Sequence, residues 1–418
     1  MSSSPHVVIV GAGIIGLCSA LYCARKGLTV TVIDRQPAQH DGCSFGNAGM
    51  IVPSHFVPLA APGMVALGLK WMWNPESPFY IKPRLNRDLL DWGWKFWRAA
   101  TPEHVRRSAP LLRDLNFASR TEYERFAGEP GQDFGLVRQG LLMLCRTPHA
   151  LDDEAKYAAQ ANALGVPAEV LDARQTAALD PDITMAVAGS VYFPKDCHLS
   201  PGRFMAGIQA ECIRLGVQFL WNAEVTELRR SGQQLDEVVT TQGAVPVEEL
   251  VLAGGSWSPQ LTERLGLRLP MQAGKGYSLT LPKPRQLPRL CSILTEARVA
   301  VTPMGPSLRL GGTMEIAGLN EDINPVRVQG IIKAVPQYFP EFRVGDFEGI
   351  QPWRGLRPCS PDGLPYLGRT RQYRNLTLAT GHAMMGLSLG PITGKLVSEL
   401  VLRERPSFDL TLLSPDRW

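Results

Sequence analysis

The sequence has no long apolar run and almost no net charge. The longest weakly polar stretch, residues 56–69, contains Pro58 and Pro62 and is too short to cross a bilayer core of about 30 Å. The 43 basic and 39 acidic residues give a formal charge of +4, too small and too dispersed to predict a nucleic-acid partner. We therefore expect no membrane-spanning helix, no nucleic acid and a small molecule as the main partner.

The cysteines also lack a pattern. None of the eight forms a CxxC pair or a cysteine–histidine spacing typical of metal sites, so we expect reduced, mostly buried thiols and no metal. No charged segment followed by an apolar core opens the chain, because its first apolar run is short and broken by glycine. These absences predict a cytoplasmic protein.

The length of the chain predicts more than one domain. A single hydrophobic core rarely grows beyond about 250–300 residues, and this chain has 418. Its 44% hydrophobic and 20% charged residues are ordinary for a globular protein, and no repeat or low-complexity tract suggests another class.

The first 34 residues predict a βαβ unit that binds a dinucleotide. The segment HVVIVGAGIIG at residues 6–16 is an apolar strand followed by a glycine-rich turn, and helical spacing and a second apolar run ending at Asp34 come next. Glycines permit the tight turn, the approach of a pyrophosphate and close helix packing, while the acid can bind a ribose hydroxyl. The predicted cofactor-binding residues here are Gly11, Gly13, Ile14, Ile15, Gly16, Asp34 and Arg35.

A loop of small polar residues follows this unit. By composition alone it could equally be a surface loop, but CSFGNAGMIVP at residues 43–53, followed by AAPG at 60–63, resembles the flavin-contacting loop of the D-amino-acid dehydrogenases. These enzymes belong to the wider D-amino-acid oxidase and glycine oxidase superfamily. The resemblance implies FAD as the cofactor and assigns to it Ser44, Asn47, Gly49 and Met50.

The resemblance implies an α/β fold with a discontinuous, Rossmann-like FAD-binding domain and an α+β substrate domain built on an antiparallel sheet. Short alternating runs from about residue 135 agree with such a sheet. The segment VLAGGSWS at 251–258 resembles the family's second nucleotide-contacting loop, which assigns Ala253 and Gly254 to FAD, with Val225 meeting the adenine through its backbone. We assign residues 1–75, 196–268 and 346–418 to the FAD domain, and 76–195 and 269–345 to the substrate domain.

The C-terminal part resembles the family's signature most closely, at residues 353–358, 360–368 and 375–386. The GLRP motif implies that Arg357 holds the substrate carboxylate, and a planar guanidinium can do so with two parallel charge-assisted bonds. Met384 stands where glycine oxidases place a second arginine, which implies a single-arginine clamp in a less polar pocket. Tyr277, in the matching segment KGYS, either presents its hydroxyl to substrate or belongs to the core.

The turn after the last predicted strand is also expected at the flavin. The resemblance places Gly381, Met385, Gly386 and Leu387 there, with the following helix directing its positive end toward the flavin pyrimidine. Because Pro391 disfavours a regular helix in the preceding turn, we expect that helix to begin near Gly390.

Two histidines, His55 and His382, lie in segments expected near the ring. Each could adjust the protonation of the substrate amine, line the pocket or serve as a structural residue.

A tryptophan-rich segment, residues 64–127, has two interpretations. Trp71, Trp73, Trp92, Trp94 and Trp97 occur with leucines and basic residues at helical spacing. An amphipathic helix that buries its aromatics between domains is favoured. A peripheral contact with the inner face of a membrane is the alternative.

The resemblance implies dehydrogenation of a D-amino or D-imino acid. Hydride would pass from the substrate Cα to flavin N5, giving an imino acid and then a 2-oxo acid, and electrons would go on to a quinone or carrier protein rather than oxygen. A secondary amine such as D-proline, D-hydroxyproline or sarcosine remains an alternative substrate. From another class, the chain could be an FAD-binding subunit of an electron-transfer assembly.

Overall fold

The computed structural model describes residues 5–72, 76–84 and 86–418. Trp73 and the domain boundary expected after residue 75 lie outside the described residues. The strands in the described ranges are β1 (His6–Val10), β2 (Thr29–Ile33), β3 (Met50–Ile51), β4 (Phe79–Ile81), β5 (Leu141–Cys145), β6 (Glu169–Asp172), β7 (Gly189–Phe193), β8 (Cys197–His198), β9 (Gln218–Leu220), β10 (Val225–Ser231), β11 (Gln234–Thr240), β12 (Gly243–Pro246), β13 (Glu249–Leu252), β14 (Gln272–Leu281), β15 (Cys291–Leu294), β16 (Val299–Met304), β17 (Ser307–Ile316), β18 (Trp353–Cys359), β19 (Tyr366–Arg369) and β20 (Leu376–Thr380).

The α-helices in the same ranges are α1 (Ile14–Arg25), α2 (Met64–Trp71), α3 (Arg87–Ala99), α4 (Pro102–Ala127), α5 (Pro148–Ala163), α6 (Ala173–Leu179), α7 (Pro201–Arg214), α8 (Ser258–Glu263), α9 (Pro325–Tyr338) and α10 (Gly386–Val401). Short 3₁₀ turns also occur, including Gly255–Trp257 and Ala383–Met385.

The first sheet has six strands in the order β19-β20-β13-β1-β2-β9, and all its pairs are parallel except β19 with β20. Strand β1 is buried on both faces, so its apolar run is continuous. Val7 and Ile9 pack toward the helices, whereas Val8 and Val10 share a core with the meander β10-β11-β12. The predicted Rossmann-like α/β fold is confirmed.

Helices α1 and α10 pack together closely and bring the two ends of the chain side by side. Small residues make this possible, since a Cβ on Gly394 would lie 2.5 Å from the backbone of Cys18 and one on Gly390 would lie 2.7 Å from Ile14. Larger residues at these positions would push the helices apart.

The second sheet follows the order β18-β14-β17-β16-β15-β5-β7-β6, with β4 beside β17. Its pairs are antiparallel except β15 with β5 and β17 with β4. Strand β18 lies in the segment 346–418 assigned to the FAD domain, yet it pairs with β14 of this sheet along residues 353–359. The division into domains therefore remains a prediction, and β18 links the two sheets.

Helix α10 begins at Gly386, so the expected start near Gly390 was wrong. Pro391 lies inside the helix and cannot donate to the carbonyl of Leu387. The buried Tyr123 hydroxyl donates to that carbonyl instead, at 2.6 Å. A bond from another helix thus replaces the missing backbone bond.

Helix α3 only partly buries its aromatic side chains. Trp92 is 4% exposed and its indole N–H donates to the carbonyl of Cys359. By contrast, Leu90, Trp94 and Trp97 are 64%, 54% and 62% exposed. The expectation that this helix buries its aromatics was therefore wrong for Trp94 and Trp97.

Candidate active site

A cavity of about 650 Å³ lies where the two sheets meet. Volumes of this size accommodate cofactors and drug-sized ligands. Most of the predicted site residues line it: Gly11, Gly13, Ile14, Ile15, Asp34, Arg35, Ser44, Asn47, Met50, His55, Val225, Ala253, Gly254, Tyr277, Arg357, His382, Met384, Met385, Gly386 and Leu387.

Three predicted residues, Gly16, Gly49 and Gly381, do not line the cavity and have structural reasons to be glycine. A Cβ on Gly16 would lie 1.7 Å from the carbonyl oxygen of Gly11. Gly49 and Gly381 adopt φ values of +79° and +78°, which side chains rarely adopt. These glycines shape the turns that hold the cavity-lining residues.

The β1–α1 turn offers an open cradle for an anion. Gly13 adopts φ −68° and the nearest atom to a Cβ placed there is Ser44 Oγ, at 3.5 Å. The N-terminus of α1 opens beside it, and the N–H of Ile14 donates to Ser44 Oγ at 3.0 Å. Free space beside a helix N-terminus suits the pyrophosphate of FAD.

Asp34 is fixed at the carboxyl end of β2. Its carboxylate accepts hydrogen bonds from the N–H groups of Ala12, at 2.6 Å, and Gln36, at 2.8 Å. Beside it the Arg35 guanidinium lies over the Trp257 ring at 4.1 Å, and both residues line the cavity. The sequence did not identify Trp257 as a site residue, because its contact with Arg35 spans more than 200 positions.

The loop predicted to contact flavin is held from the second sheet. Arg309 donates from Nη1 to the carbonyls of Phe45 and Asn47, at 2.9 and 3.0 Å. The indole N–H of Trp353 donates to the carbonyl of Asp41 at 2.7 Å. These bonds fix the loop against the cavity, and burial lowers the pKa of Arg309 from its ordinary value.

Arg357 lies in a space made by a missing side chain and a β-bulge. A Cβ on Gly276 would lie 2.2 Å from both terminal nitrogens of the guanidinium. Opposite Gly276 the pairing of β14 with β17 shifts register, and Thr313 adopts a φ of +64°. This bulge directs the Thr313 carbonyl to Nη1 of Arg357 at 2.7 Å.

We expect Gly276→Ala to weaken substrate binding about tenfold without weakening FAD binding. The new methyl group would displace the guanidinium from its position, and misplaced clamps lose part of their bidentate geometry. Stopped-flow flavin reduction over a range of substrate concentrations would measure this loss. Gly93→Ala is the matched control, since a Cβ there meets open space. Unchanged substrate affinity in Gly276→Ala would contradict this account of the clamp.

The Tyr277 hydroxyl is bound by two residues that do not line the cavity. The hydroxyl donates to Glu315 at 2.8 Å and accepts from the N–H of Asn324 at 3.1 Å. The side chain is 1% exposed and belongs to the core of the second sheet, and burial and Glu315 raise its pKa. These contacts favour the core role for Tyr277 among its two predicted alternatives, and that role stays a prediction.

Both predicted histidines are neutral near pH 7. Burial lowers the pKa of His382 to about 3, and its Nε2 lies 3.1 Å from Thr393 Oγ1, while Nδ1 has no partner among the described residues. Burial and the charge of Arg298 lower the pKa of His55 to about 4. Neutral imidazoles can accept a proton or hydrogen bond, so both remain candidates for a role in the cavity.

Met384 is 48% exposed, lines the cavity and follows Ala383, whose φ is +47°. Among the described residues the Arg357 guanidinium forms no ion pair with a carboxylate, and its Nη1 donates to the Thr313 carbonyl at 2.7 Å. Arg298 also lines the cavity and was not predicted.

No described helix has the length and apolar character needed to cross a membrane, and the described His, Cys, Asp and Glu side chains form no cluster able to hold a metal.

Comparison with known proteins gives matches over nearly the full chain. Among curated proteins, it is 34% identical over 417 residues to a D-amino acid dehydrogenase of Rhizobium rhizogenes, covering 99% of each chain. It is 32% identical over 421 residues to one of Bradyrhizobium diazoefficiens, covering 99% of this chain and 98% of that protein.

Solved structures share the fold. Glycine oxidase from Geobacillus kaustophilus gives a TM-score of 0.79 at 24% identity, covering 99% of this chain and 100% of that chain. L-proline dehydrogenase from P. horikoshii gives a TM-score of 0.76 at 16% identity, covering 100% of this chain and 98% of that chain. The sequence also matches the DAO family, described as FAD dependent oxidoreductases, over residues 6–400. The predicted family resemblance, enzyme class and FAD cofactor are therefore confirmed, and the chain belongs to the DAO family of FAD-dependent oxidoreductases.

Proposed function

We propose that the chain dehydrogenates a D-amino or D-imino acid, with Arg357 binding the substrate carboxylate. The observation that supports this most is a half-buried guanidinium that lines the cavity without a carboxylate partner among the described residues. A guanidinium that is partly removed from water is stabilised most by pairing with an anion whose planar shape matches its own. The curated relatives named D-amino acid dehydrogenases support the choice of substrate class.

The cavity also fits FAD. The open cradle above Gly13 and the N-terminus of α1 suit the pyrophosphate, and Asp34 suits a ribose hydroxyl. Arg35 and Trp257 form a flat cation–π pair suited to the adenine end, and the pair lines the same cavity as Val225. When bound, FAD supplies the acceptor for the hydride that leaves the substrate Cα. The chain's own task is to hold the carboxylate, orient the Cα–H bond and favour the neutral amine.

We further propose a quinone or carrier protein as the electron acceptor. The dehydrogenase relatives support an acceptor other than oxygen. The α3 surface formed by Leu90, Trp94 and Trp97 supports a site close to a membrane, where quinones dissolve. Arg98 stacks on Trp94 at 4.7 Å, which combines a cation with an aromatic side chain as in interfacial helices.

The reaction is tested by turnover with purified holoprotein and an artificial acceptor. D-alanine, L-alanine, D-proline, D-hydroxyproline, sarcosine and glycine should each be supplied, and formation of the 2-oxo or cyclic imino product measured. We expect turnover of D substrates and little turnover of L-alanine, and the ranking separates primary from secondary amines. Turnover by the isolated chain would exclude the hypothesis that it is an inactive subunit. Preference for the L enantiomer would contradict the proposal.

The α3 surface predicts binding to lipid vesicles. Replacing both Trp94 and Trp97 with serine should reduce the vesicle-bound fraction, with a partition coefficient lowered about tenfold, because the aromatic side chains would no longer enter the interface. Co-sedimentation with vesicles containing anionic lipid measures this. Trp92→Phe is unsuitable as a control because Trp92 is buried, whereas Val170→Ser removes an exposed apolar side chain elsewhere. Equal binding by the double variant and the unmodified chain would contradict the proposed contact.

A further inference from the structure

Three side chains, His55, Ser54 and Asp196, form a hydrogen-bonded chain that leads from the cavity into the core. Nδ1 of His55 lies 2.9 Å from Ser54 Oγ, and Ser54 Oγ lies 2.5 Å from Oδ2 of Asp196. The backbone N–H of Ser54 donates to Oδ1 of the same carboxylate at 3.1 Å. His55 lines the cavity, whereas Ser54 is 1% exposed and Asp196 is fully buried.

The direction of these bonds determines where His55 carries its proton. An ionised carboxylate only accepts, so the Ser54 hydroxyl must donate to Asp196. Ser54 Oγ can then only accept from the imidazole, which requires the proton on Nδ1. The second ring nitrogen, Nε2, is left with its lone pair on a side chain that lines the cavity.

We propose that Asp196, acting through Ser54, is a positioning residue that holds His55 in the Nδ1–H tautomer, so that Nε2 accepts the proton of the substrate ammonium group. This inference rests on the proposed function, because hydride can leave the substrate Cα only when its nitrogen is unprotonated. One proton passes from the substrate nitrogen to Nε2. The Nδ1 proton passes to Ser54 Oγ, and the Ser54 hydroxyl proton passes to Oδ2 of Asp196, so the ring stays neutral.

The surroundings agree with this assignment. Burial raises the pKa of Asp196 to about 7, while the pKa of His55 is lowered to about 4, so Asp196 is the better proton acceptor. A second bond supports the turn, since the Tyr157 hydroxyl donates to the carbonyl of Ser54 at 2.7 Å. The other titratable or charged groups that act on this chain of bonds are Arg120, Tyr157, Cys197 and Cys291 at Asp196, Arg298 at His55, and Glu154 near both Tyr157 and Arg298.

Most of these groups keep one charge state near pH 7. Burial raises the pKa of Cys197 to about 12 and also raises the pKa values of Cys291 and Tyr157. Burial raises the pKa of Glu154 as well, although Arg298 opposes this. We therefore assign the pH dependence of the His55 tautomer to Asp196. The Asp196→Asn variant described below distinguishes the effect of Asp196 from that of Glu154.

Asp196→Asn reverses the bond directions with almost no change in shape. The N–H of Ser54 can only donate, so it binds the amide oxygen and the NH₂ group faces Ser54 Oγ. Ser54 then donates to Nδ1 of His55, and the imidazole carries its proton on Nε2, where it cannot accept from substrate.

Because Asp196 has a raised pKa in the folded state, folding stability falls as pH rises through the range from about 4 to 7. The asparagine variant avoids that loss, so we expect it to melt no lower than the unmodified chain at pH 8.

The test is stopped-flow flavin reduction of the holoprotein between pH 5.5 and 8.5, using the D substrate that turnover assays rank first. In the unmodified chain the rate should rise through about pH 7 as Asp196 ionises. The unmodified chain and Asp196→Asn should be reduced at nearly equal rates at pH 5.5. At pH 8 the unmodified chain should be reduced about 10- to 100-fold faster than the variant. Ser54→Ala should lose the same rise, whereas Asp133→Asn, at an exposed ion pair with Arg203, should keep it.

The outcomes separate this inference from the proposed function. If the unmodified holoprotein is not reduced by any D-amino or D-imino acid, the proposed function fails and the inference fails with it. If the unmodified chain is reduced but Asp196→Asn is equally fast, or slower by the same factor at every pH, only the inference is overturned. A constant factor would indicate a purely structural carboxylate.

Discussion

An Arg357→Leu variant is expected to need about 100-fold more substrate for half-maximal flavin reduction, while it retains FAD. Each hydrogen bond to a charged group contributes about 1.5–3 kcal/mol, so losing a bidentate pair costs about 3 kcal/mol or more of binding, or about two decades in Kd. Leucine fills part of the same space without a charge. Stopped-flow reduction at increasing substrate concentration measures the change.

The control for this variant is Arg289→Leu, which removes an exposed guanidinium that pairs with Asp182 and does not line the cavity. It should leave substrate affinity unchanged. Arg357→Lys should lie between the two, because an ammonium keeps the charge but not the planar pair of donors. If Arg357→Leu binds substrate as tightly as the unmodified chain, another cation in the cavity, such as Arg298, holds the carboxylate.

Gly13→Ala is expected to weaken FAD binding about 10- to 100-fold without unfolding the apoprotein. The backbone of Gly13 adopts a conformation open to alanine, and the nearest atom to the new Cβ is Ser44 Oγ at 3.5 Å. A loss of affinity would therefore come from the pyrophosphate, which the methyl group keeps at a distance. Fluorescence titration of the apoprotein with FAD measures the affinity.

Gly16→Ala is the contrasting variant. Its Cβ would lie 1.7 Å from the carbonyl oxygen of Gly11, so the β1–α1 unit itself must distort. We expect a lower melting temperature of the apoprotein together with loss of FAD. If Gly13→Ala binds FAD normally and Gly16→Ala melts normally, this turn is not the pyrophosphate site that the geometry indicates.

The parts of the fold that could be predicted were those encoded locally. The segment from His6 to Asp34 contains its strand, turn, helix and second strand in consecutive residues, and the structure forms all of them. The start of α10 could not be predicted because it depends on a bond from Tyr123, 264 positions away, to the carbonyl that Pro391 leaves without a donor. The prediction that α3 buries its aromatic side chains also failed for Trp94 and Trp97. Helical periodicity does not show which face of a helix packs against the rest of the protein.

In the candidate site too, features encoded within short segments could be predicted and contacts between distant segments could not. Residues in short motifs, such as Gly13 and Arg357, line one cavity, although their roles remain proposals. Groups that hold the predicted site segments come from distant strands. Arg309 binds the loop predicted to contact flavin, and the Thr313 carbonyl binds Arg357. Ser54 and Asp196 lie 142 positions apart, so neither sequence segment alone indicates a bond between them.

The most direct measurement is anaerobic addition of D-alanine and, separately, D-hydroxyproline to the yellow holoprotein, with L-alanine as the control. At least one D substrate should bleach the flavin within seconds, and the Arg357→Leu protein should bleach only at far higher concentrations. A flavin that stays oxidised with every D substrate, or that L-alanine bleaches equally well, would contradict the assignment of this cavity to D-amino or D-imino acids.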